Sequence, residues 1–331
     1  MAVLATGSVA FDYILTFKGR FRDHILPEQA HILNLSFLVD SLERRRGGVA
    51  ANYAFNLSLL GYPSAILATA GADAAAYRDW LQERGVDCSG LRLLEDEITA
   101  TGFTTTDLED NQITGYYGGA MNRAAELGLA ETAAPVEAVI VGPNAPEAMR
   151  RLVGECRERG LPWVFDPAHQ LPHLSAADLE EGARGAWILV GNDYEIELVR
   201  GRTGRTLEGL TELAEMVVVT LGRQGSRIHR RGRRVDVPAA PAAVEVDPTG
   251  AGDAFRAGLV AGLRRGLDAR QAGMVGSLAA TYAVEKVGTI EHSYTPQEFA
   301  ARFREAFGAP LPPALWSAEG PEAHSVQEPG A

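Results

Sequence analysis

The run Asp247-Pro248-Thr249-Gly250-Ala251-Gly252-Asp253 combines small residues and carboxylates at a spacing that suits phosphoryl chemistry. Ahead of it, Val244-Glu245-Val246 alternates like a strand. Behind it, Ala254, Phe255, Gly258, Leu259, Gly262 and Leu263 recur at helical spacing. Thr249 is placed to cap that helix, and Pro248 to stop the strand. Gly250, Ala251 and Gly252 then fall where a helix begins. A ligand can approach their backbone closely, and unpaired N–H groups face it. With the positive end of the helix dipole added, this is an anion site. Asp253 stands in the first turn. Beside an anion hole it fits a base that takes a hydroxyl proton while the hole holds a phosphoryl group in transfer. Taken alone, the same aspartate could equally stabilise the helix N-terminus.

Other candidates lie at predicted strand ends, which in an open α/β sheet face the ligand crevice. Residues 3–10 read as a buried strand, and Asp12 follows it. One carboxylate there can accept both hydrogen bonds of a vicinal diol, or it can be an ordinary loop aspartate. Gly47-Gly48 opens a helix whose core face is Ala50, Tyr53, Ala54, Leu57 and Leu60. Asn52 lies one turn after Gly48, so a backbone N–H and a side-chain amide can meet one ligand. An internal cap is the other reading. Asn192 and Glu195 share a helical face after a strand. Their oxygens suit Mg²⁺ that keeps several waters, or they form a helix cap plus a surface glutamate. Thr220 ends a strand before the Gly222-x-x-Gly225 turn, and such turns also join hairpins.

Strands at 64–70, 136–141, 162–165, 186–190 and 216–221 alternate with helices such as 77–84, 146–158 and 268–286. This predicts a doubly wound, mostly parallel sheet flanked by helices. Two inserts break the rhythm, with strand-like runs at 13–17 and 31–37 and at 99–106 and 112–117. They predict a small β-sheet lid whose closure would exclude water. The expected division is 1–12, 41–98 and 118–307 as the large domain, 13–40 and 99–117 as the lid, and 308–331 as a mobile tail.

The net charge of −12 argues against nucleic acid or anionic membrane as partner. Cys88 and Cys156 are the only cysteines, which fits a reducing cytosol rather than a disulfide framework. The first residues enter a strand without a basic leader, and no apolar run reaches spanning length, so a cytoplasmic protein is expected. The only lysines, Lys18 and Lys286, are not placed for a P-loop. A redox dinucleotide fold is disfavoured because the Gly-x-Gly falls late in the chain.

Residues 249–255 resemble the second signature of the ribokinase-like (PfkB) kinases, and Gly47-Gly48-Val49-Ala50-Ala51-Asn52 resembles the first. The resemblance runs from about residue 3 to about 307. It implies ATP-dependent phosphorylation of a sugar-like hydroxyl, with Asp253 as base and Gly250, Ala251 and Gly252 as the anion hole. It further implies that Asp12 binds sugar hydroxyls with Asn52 and Gly48, assisted by Ser8 and Ser36. Asn192 and Glu195 would set Mg²⁺ and phosphate, with Mg²⁺ met through water at Glu195. Thr220, Gly222 and Gly225 would carry the nucleotide. Relatives hold a monovalent cation such as K⁺ with the aspartate matching Asp247 and a loop matching Gly288-Thr289.

The runs 21–28, 35–40, 102–106 and 116–121 resemble adenosine kinases of the mycobacterial type and broader prokaryotic nucleoside kinases. There two lid aromatics sandwich the base, matching Phe103 and Tyr116, and stacking suits a planar purine. Packing of both rings within the lid is the other reading. Asp166-Pro167-Ala168-His169-Gln170 resembles a loop that supplies an amide to the purine edge, here Gln170. His169 and His173 depart from the relatives' glutamine and arginine, which leaves other nucleosides open. The resemblance thus implies 5′-phosphorylation of adenosine in purine salvage. A broad nucleoside kinase and a ribokinase- or fructokinase-like sugar kinase are the alternatives. An apolar lid face would favour a lid-to-lid homodimer, as in some relatives.

Overall fold

The computed structural model describes residues 1–24, 36–109 and 111–316. Most of the expected strand at 31–37, part of the loop before it and most of the expected tail lie outside the described residues. In chain order the strands are β1 (Ala2–Thr6), β2 (Ala10–Thr16), β3 (Ser41–Gly47), β4 (Ser64–Gly71), β5 (Val86–Leu94), β6 (Ala100–Thr106), β7 (Gln112–Tyr117), β8 (Val136–Val141), β9 (Trp163–Phe165), β10 (Ile188–Asn192), β11 (Met216–Thr220), β12 (Ser226–Arg230) and β13 (Arg233–Val237). The α-helices are α1 (Val49–Leu59), α2 (Ala75–Gln82), α3 (Pro146–Arg159), α4 (Ala176–Ala183), α5 (Asp193–Thr203), α6 (Leu207–Leu213), α7 (Ala251–Arg264), α8 (Ala269–Val284) and α9 (Pro296–Phe307).

The main sheet has the order β13-β12-β11-β10-β9-β8-β1-β4-β5. It is parallel from β11 to β5, and β12 and β13 are antiparallel at one edge. Near-continuous apolar strands suit a sheet covered on both faces. Val3 and Ala5 belong to one core layer with α1, α7 and α8, whereas Ala2 and Leu4 belong to the other with α3, α4 and α5. Helices α7 and α8 meet glycine to glycine, since a Cβ on Gly258 would stand 2.7 Å from Gly276 Cα. Among the described residues no helix is long and apolar enough to cross a membrane.

The second sheet, β3-β2-β6-β7, is the lid. Its pairing joins two distant inserts, with β2 parallel to β6. Ser41–Gly47, placed in the large domain by sequence, is a lid strand paired with β2. Its charged run Glu43-Arg44-Arg45-Arg46 hid it from a hydrophobic reading. Asp12 likewise sits within lid strand β2, not in the loop after β1.

Two local expectations are corrected. Residues 244–246 are not a strand, because no neighbouring strand offers them a ladder; the Val246 and Asp247 amides instead donate to the Val284 carbonyl at the end of α8. Thr249 does not cap α7. The N-cap is Gly250, in a left-handed conformation (φ 80°) that a side chain would strain.

Candidate active site

Helix α7 starts at the crevice because Gly250 turns the chain sharply while contacting Thr289; a Cβ there would stand 2.8 Å from Thr289 Cβ. The first amides of a helix have no acceptor inside it. That of Ala251 turns back to the Pro248 carbonyl at 3.2 Å, so the orphan donors of this turn are those that follow it. Asp253 is partly buried just behind them. Burial pushes its carboxyl up to about 7; Asp166 and Glu195 add to the rise, while Arg256 and an Asn52 hydrogen bond oppose it.

Asn52 is brought to Asp253 by the packing of α1 on α7. Its Nδ2 donates to Asp253 Oδ2 at 2.7 Å, and its Oδ1 accepts from the Thr289 hydroxyl at 2.9 Å. Both ends of the Asn52 amide therefore meet protein groups, its Nδ2 the Asp253 carboxylate and its Oδ1 the Thr289 hydroxyl. Gly48 opens α1 with φ 95°, and a Cβ there would collide with the Ser8 and Ala10 backbone at 2.5–2.6 Å. Ser8 is buried, and its hydroxyl accepts the Val49 N–H at 3.1 Å. It caps α1 from outside.

Beneath the hole lies a buried ion network that the sequence did not announce. Arg256 Nε is 2.7 Å from Asp166 Oδ2, Arg256 Nη2 donates to Asp166 Oδ1 at 3.1 Å, and Nη2 is 3.5 Å from Glu195 Oε2. The Tyr53 hydroxyl donates to the same Asp166. A Cβ on Gly252 would stand 2.5 Å from Arg256 Nη1, so Gly252 makes room for the guanidinium directly under the helix start. The signal available was a single arginine on the otherwise apolar face of α7.

The lid supplies the opposite wall. Register places Arg45, Asp12, Gly102 and Tyr116 side by side across all four strands, hence on one face. Asp12 fits there because two glycines stand beside its carboxylate: a Cβ on Gly47, diagonally across in β3, would be 2.4 Å and one on Gly102, its partner in β6, 2.8 Å from its oxygens. Burial, then the charge of Asp247, raise the Asp12 pKa. The Tyr116 phenol donates to Met121 Sδ at 3.9 Å and interacts with Ser8, so this face looks into the crevice. Phe103 pairs with Tyr13 and Gly115, one residue out of phase, and stacks on Tyr13 with ring centroids 5.2 Å apart. It lies on the other face. One lid cannot sandwich a base between Phe103 and Tyr116, which corrects that expectation.

On the far side, Asn192 and Thr220 are register partners at the ends of β10 and β11. Asn192 and Glu195 form a capping box, each accepting the other's backbone N–H at 2.7 Å. Glu195 Oε1 is left over, which fits Mg²⁺ held through water and ATP oxygens rather than by a protein cage. Among the described residues no cluster of three metal-ligating side chains exists. The Gly222-x-x-Gly225 turn does join antiparallel strands, and Gly225 (φ 85°) is required because a Cβ would meet the Val237 carbonyl at 2.0 Å. Gln170 sits in the turn after β9 with 8% of its surface exposed. Ser36 is exposed.

Asp247 works as a turn anchor. Although burial acts the other way, amide bonds from Thr249 and Gly288, each 2.9 Å, and the Arg45 charge hold it below the usual carboxylate range. A cavity of about 600 Å³ lies between α5, α6 and the β12–β13 hairpin, lined by none of the motif glycines or Asp253.

The profile of pfkB family carbohydrate kinases matches residues 13–296. A nucleoside kinase of Methanothermobacter thermautotrophicus is 33% identical over 310 residues, covering 92% of this chain and 96% of its own. The nucleoside kinase of Burkholderia thailandensis in complex with inosine superposes with a TM-score of 0.84 at 37% identity, over 93% of this chain and 99% of its own. The nucleoside kinase of Methanocaldococcus jannaschii, an archaeal member of the ribokinase family, superposes with a TM-score of 0.82 at 28% identity, over 92% of this chain and 98% of its own.

Proposed function

The chain belongs to the pfkB family of carbohydrate kinases and has its ribokinase-like fold, and from this premise we infer that it transfers the γ-phosphoryl group of ATP to the 5′-hydroxyl of nucleosides. The observation that carries the reading is Asp253, raised to about 7 and oriented by Asn52, at the start of a helix that faces the Asp12 wall of the lid. Asp12 accepts the ribose hydroxyls. Asp253 Oδ1, the oxygen Asn52 does not hold, takes the 5′-hydroxyl proton as that oxygen attacks the γ-phosphorus and ADP leaves. The amides at the start of α7 receive the phosphoryl charge. Glu195 would hold Mg²⁺ through water, and the ion would supply charge neutralisation to the polyphosphate.

Adenosine is one acceptor among several in this reading. With Phe103 on the outer face, Tyr116 alone covers the base, and a single ring discriminates weakly among purines. The Burkholderia thailandensis relative binds inosine, in keeping with broad base acceptance. We further propose that the outer lid face, carrying Leu42, Phe103, Ile113 and Tyr117 exposed, meets its copy in a homodimer.

The test is Mg-ATP-dependent ADP release with adenosine, inosine, guanosine, cytidine, ribose and fructose. Turnover of several nucleosides and not of free sugars supports the reading. Turnover of adenosine alone restores the narrower activity, and turnover of sugars alone overturns the nucleoside assignment.

A further inference from the structure

Beyond its charge near Asp247, Arg45 has no role in the site described above. Its register partner is Asp12, so it stands on the crevice face of the lid. Glu43, two residues earlier on the same face, grips one edge of the guanidinium at Nε (3.2 Å) and Nη2 (2.5 Å). The remaining nitrogen, Nη1, is buried without a hydrogen-bond partner. It reaches the Gly288 loop, lying 3.7 Å from where a Gly288 Cβ would stand, with Arg45 Cδ at 3.6 Å. That loop is the floor of the reaction centre. The Gly288 amide anchors Asp247, and Thr289 touches Gly250 and hydrogen-bonds Asn52. A buried, charged donor with no acceptor is costly, and it is kept at low cost only where an acceptor arrives.

The acceptor that fits is a phosphoryl oxygen. Glu43 fixes the guanidinium plane and leaves Nη1, beside the Gly288 loop, without an acceptor, and an arginine held in this way can bind a phosphate oxygen through its remaining edge. We propose that Arg45 binds the phosphoryl group on the acceptor side of the site, during transfer and then as the 5′-phosphate of the product. This rests on the kinase reading given above. Asp12 and Arg45, adjacent in one register row, then divide the acceptor between them: the carboxylate takes the sugar hydroxyls and the guanidinium takes the new phosphate.

The experiment compares wild type, Arg45→Gln and Arg45→Lys, first confirming equal melting temperatures. Turnover with adenosine and inosine, inhibition by AMP and IMP, and binding of the unphosphorylated nucleosides are measured. In Arg45→Gln, kcat should fall ~10-fold or more and inhibition by the monophosphates should weaken by a similar factor. Nucleoside binding should stay within about twofold, because the removed contact is to phosphate alone. Arg45→Lys should recover part of both losses. Unchanged kcat and monophosphate inhibition in Arg45→Gln would overturn the inference. So would equal weakening of nucleoside and monophosphate, which would make Arg45 a support for Asp12. If wild type phosphorylates no nucleoside, the kinase reading itself has failed, and that outcome is separate from either result for Arg45.

Discussion

Asn52 Nδ2 donates to Asp253 Oδ2 at 2.7 Å, and through this bond helix α1 holds a carboxylate in the first turn of α7, 201 residues later. The bond favours the ionised carboxylate. Removing it in Asn52→Ala should raise the Asp253 pKa above about 7. The acid limb of kcat/KM should therefore move to higher pH, with turnover lowered ~10²-fold on its plateau. A pH profile superimposable on wild type would show that Asn52 does not tune the base.

As the proposed base Asp253 acts deprotonated, so wild-type activity should rise with pH, reach half its maximum near pH 7 and then level. Asp253→Asn should lose ~10²–10⁴-fold in turnover while retaining nucleoside binding.

The same raised pKa has a stability consequence of definite sign. The folded state holds the Asp253 proton more tightly than the unfolded chain. The stabilisation this gives is complete below the unfolded carboxylate pKa and has been lost once pH passes about 7. Asp253→Asn does not titrate. Its melting temperature should therefore gain on wild type as pH rises from about 4 to 7, and the gap should then stay constant. A constant gap across the whole range would mean that Asp253 is not shifted.

Arg256→Leu should destabilise the fold by about 3–5 kcal/mol, because it leaves Asp166 charged and buried without its partner. Denaturant unfolding of Arg256→Leu beside Arg256→Leu/Asp166→Leu measures this. The double variant should recover much of the loss, since both charges then leave together.

The two lid faces should separate in mutagenesis. Tyr116→Ala should raise the nucleoside KM, and Phe103→Ala should not. Phe103→Glu should instead convert a dimer to a monomer in sedimentation, by placing a charge among Leu42, Ile113 and Tyr117. A KM increase in both alanine variants would contradict the register argument.

The parts of the site legible in sequence were those whose members are neighbours along the chain. The run from Asp247 to Asp253 revealed the helix start and its carboxylate. Near-continuous apolar runs such as Val136–Val141, broken only by Glu137, revealed the parallel strands. Pairings across the fold were not legible. Nothing local in Asn52 points to Asp253, nor in Arg256 to Asp166, because each pair is created by helix packing. Phe103 and Tyr116 look equivalent as lid aromatics, yet a single-residue difference in phase sends them to opposite faces. Strand β5 carries Asp87, Ser89 and Gly90, and the β12–β13 hairpin is rich in arginine, so neither reads as buried sheet.

The parallel pairing of β2 with β6 also orders events in time. Each insert alone is a two-stranded ribbon, which is marginal in water. Their union sets Ala10 beside Ala100, a contact across 90 residues that include β4 and β5 of the main sheet, and so slow to form. The lid should therefore be the last part of the molecule to fold, and its amides the first to exchange with solvent. Acceptor recognition is thereby placed on the least persistent part of the structure, while the base and the anion hole rest on the most persistent.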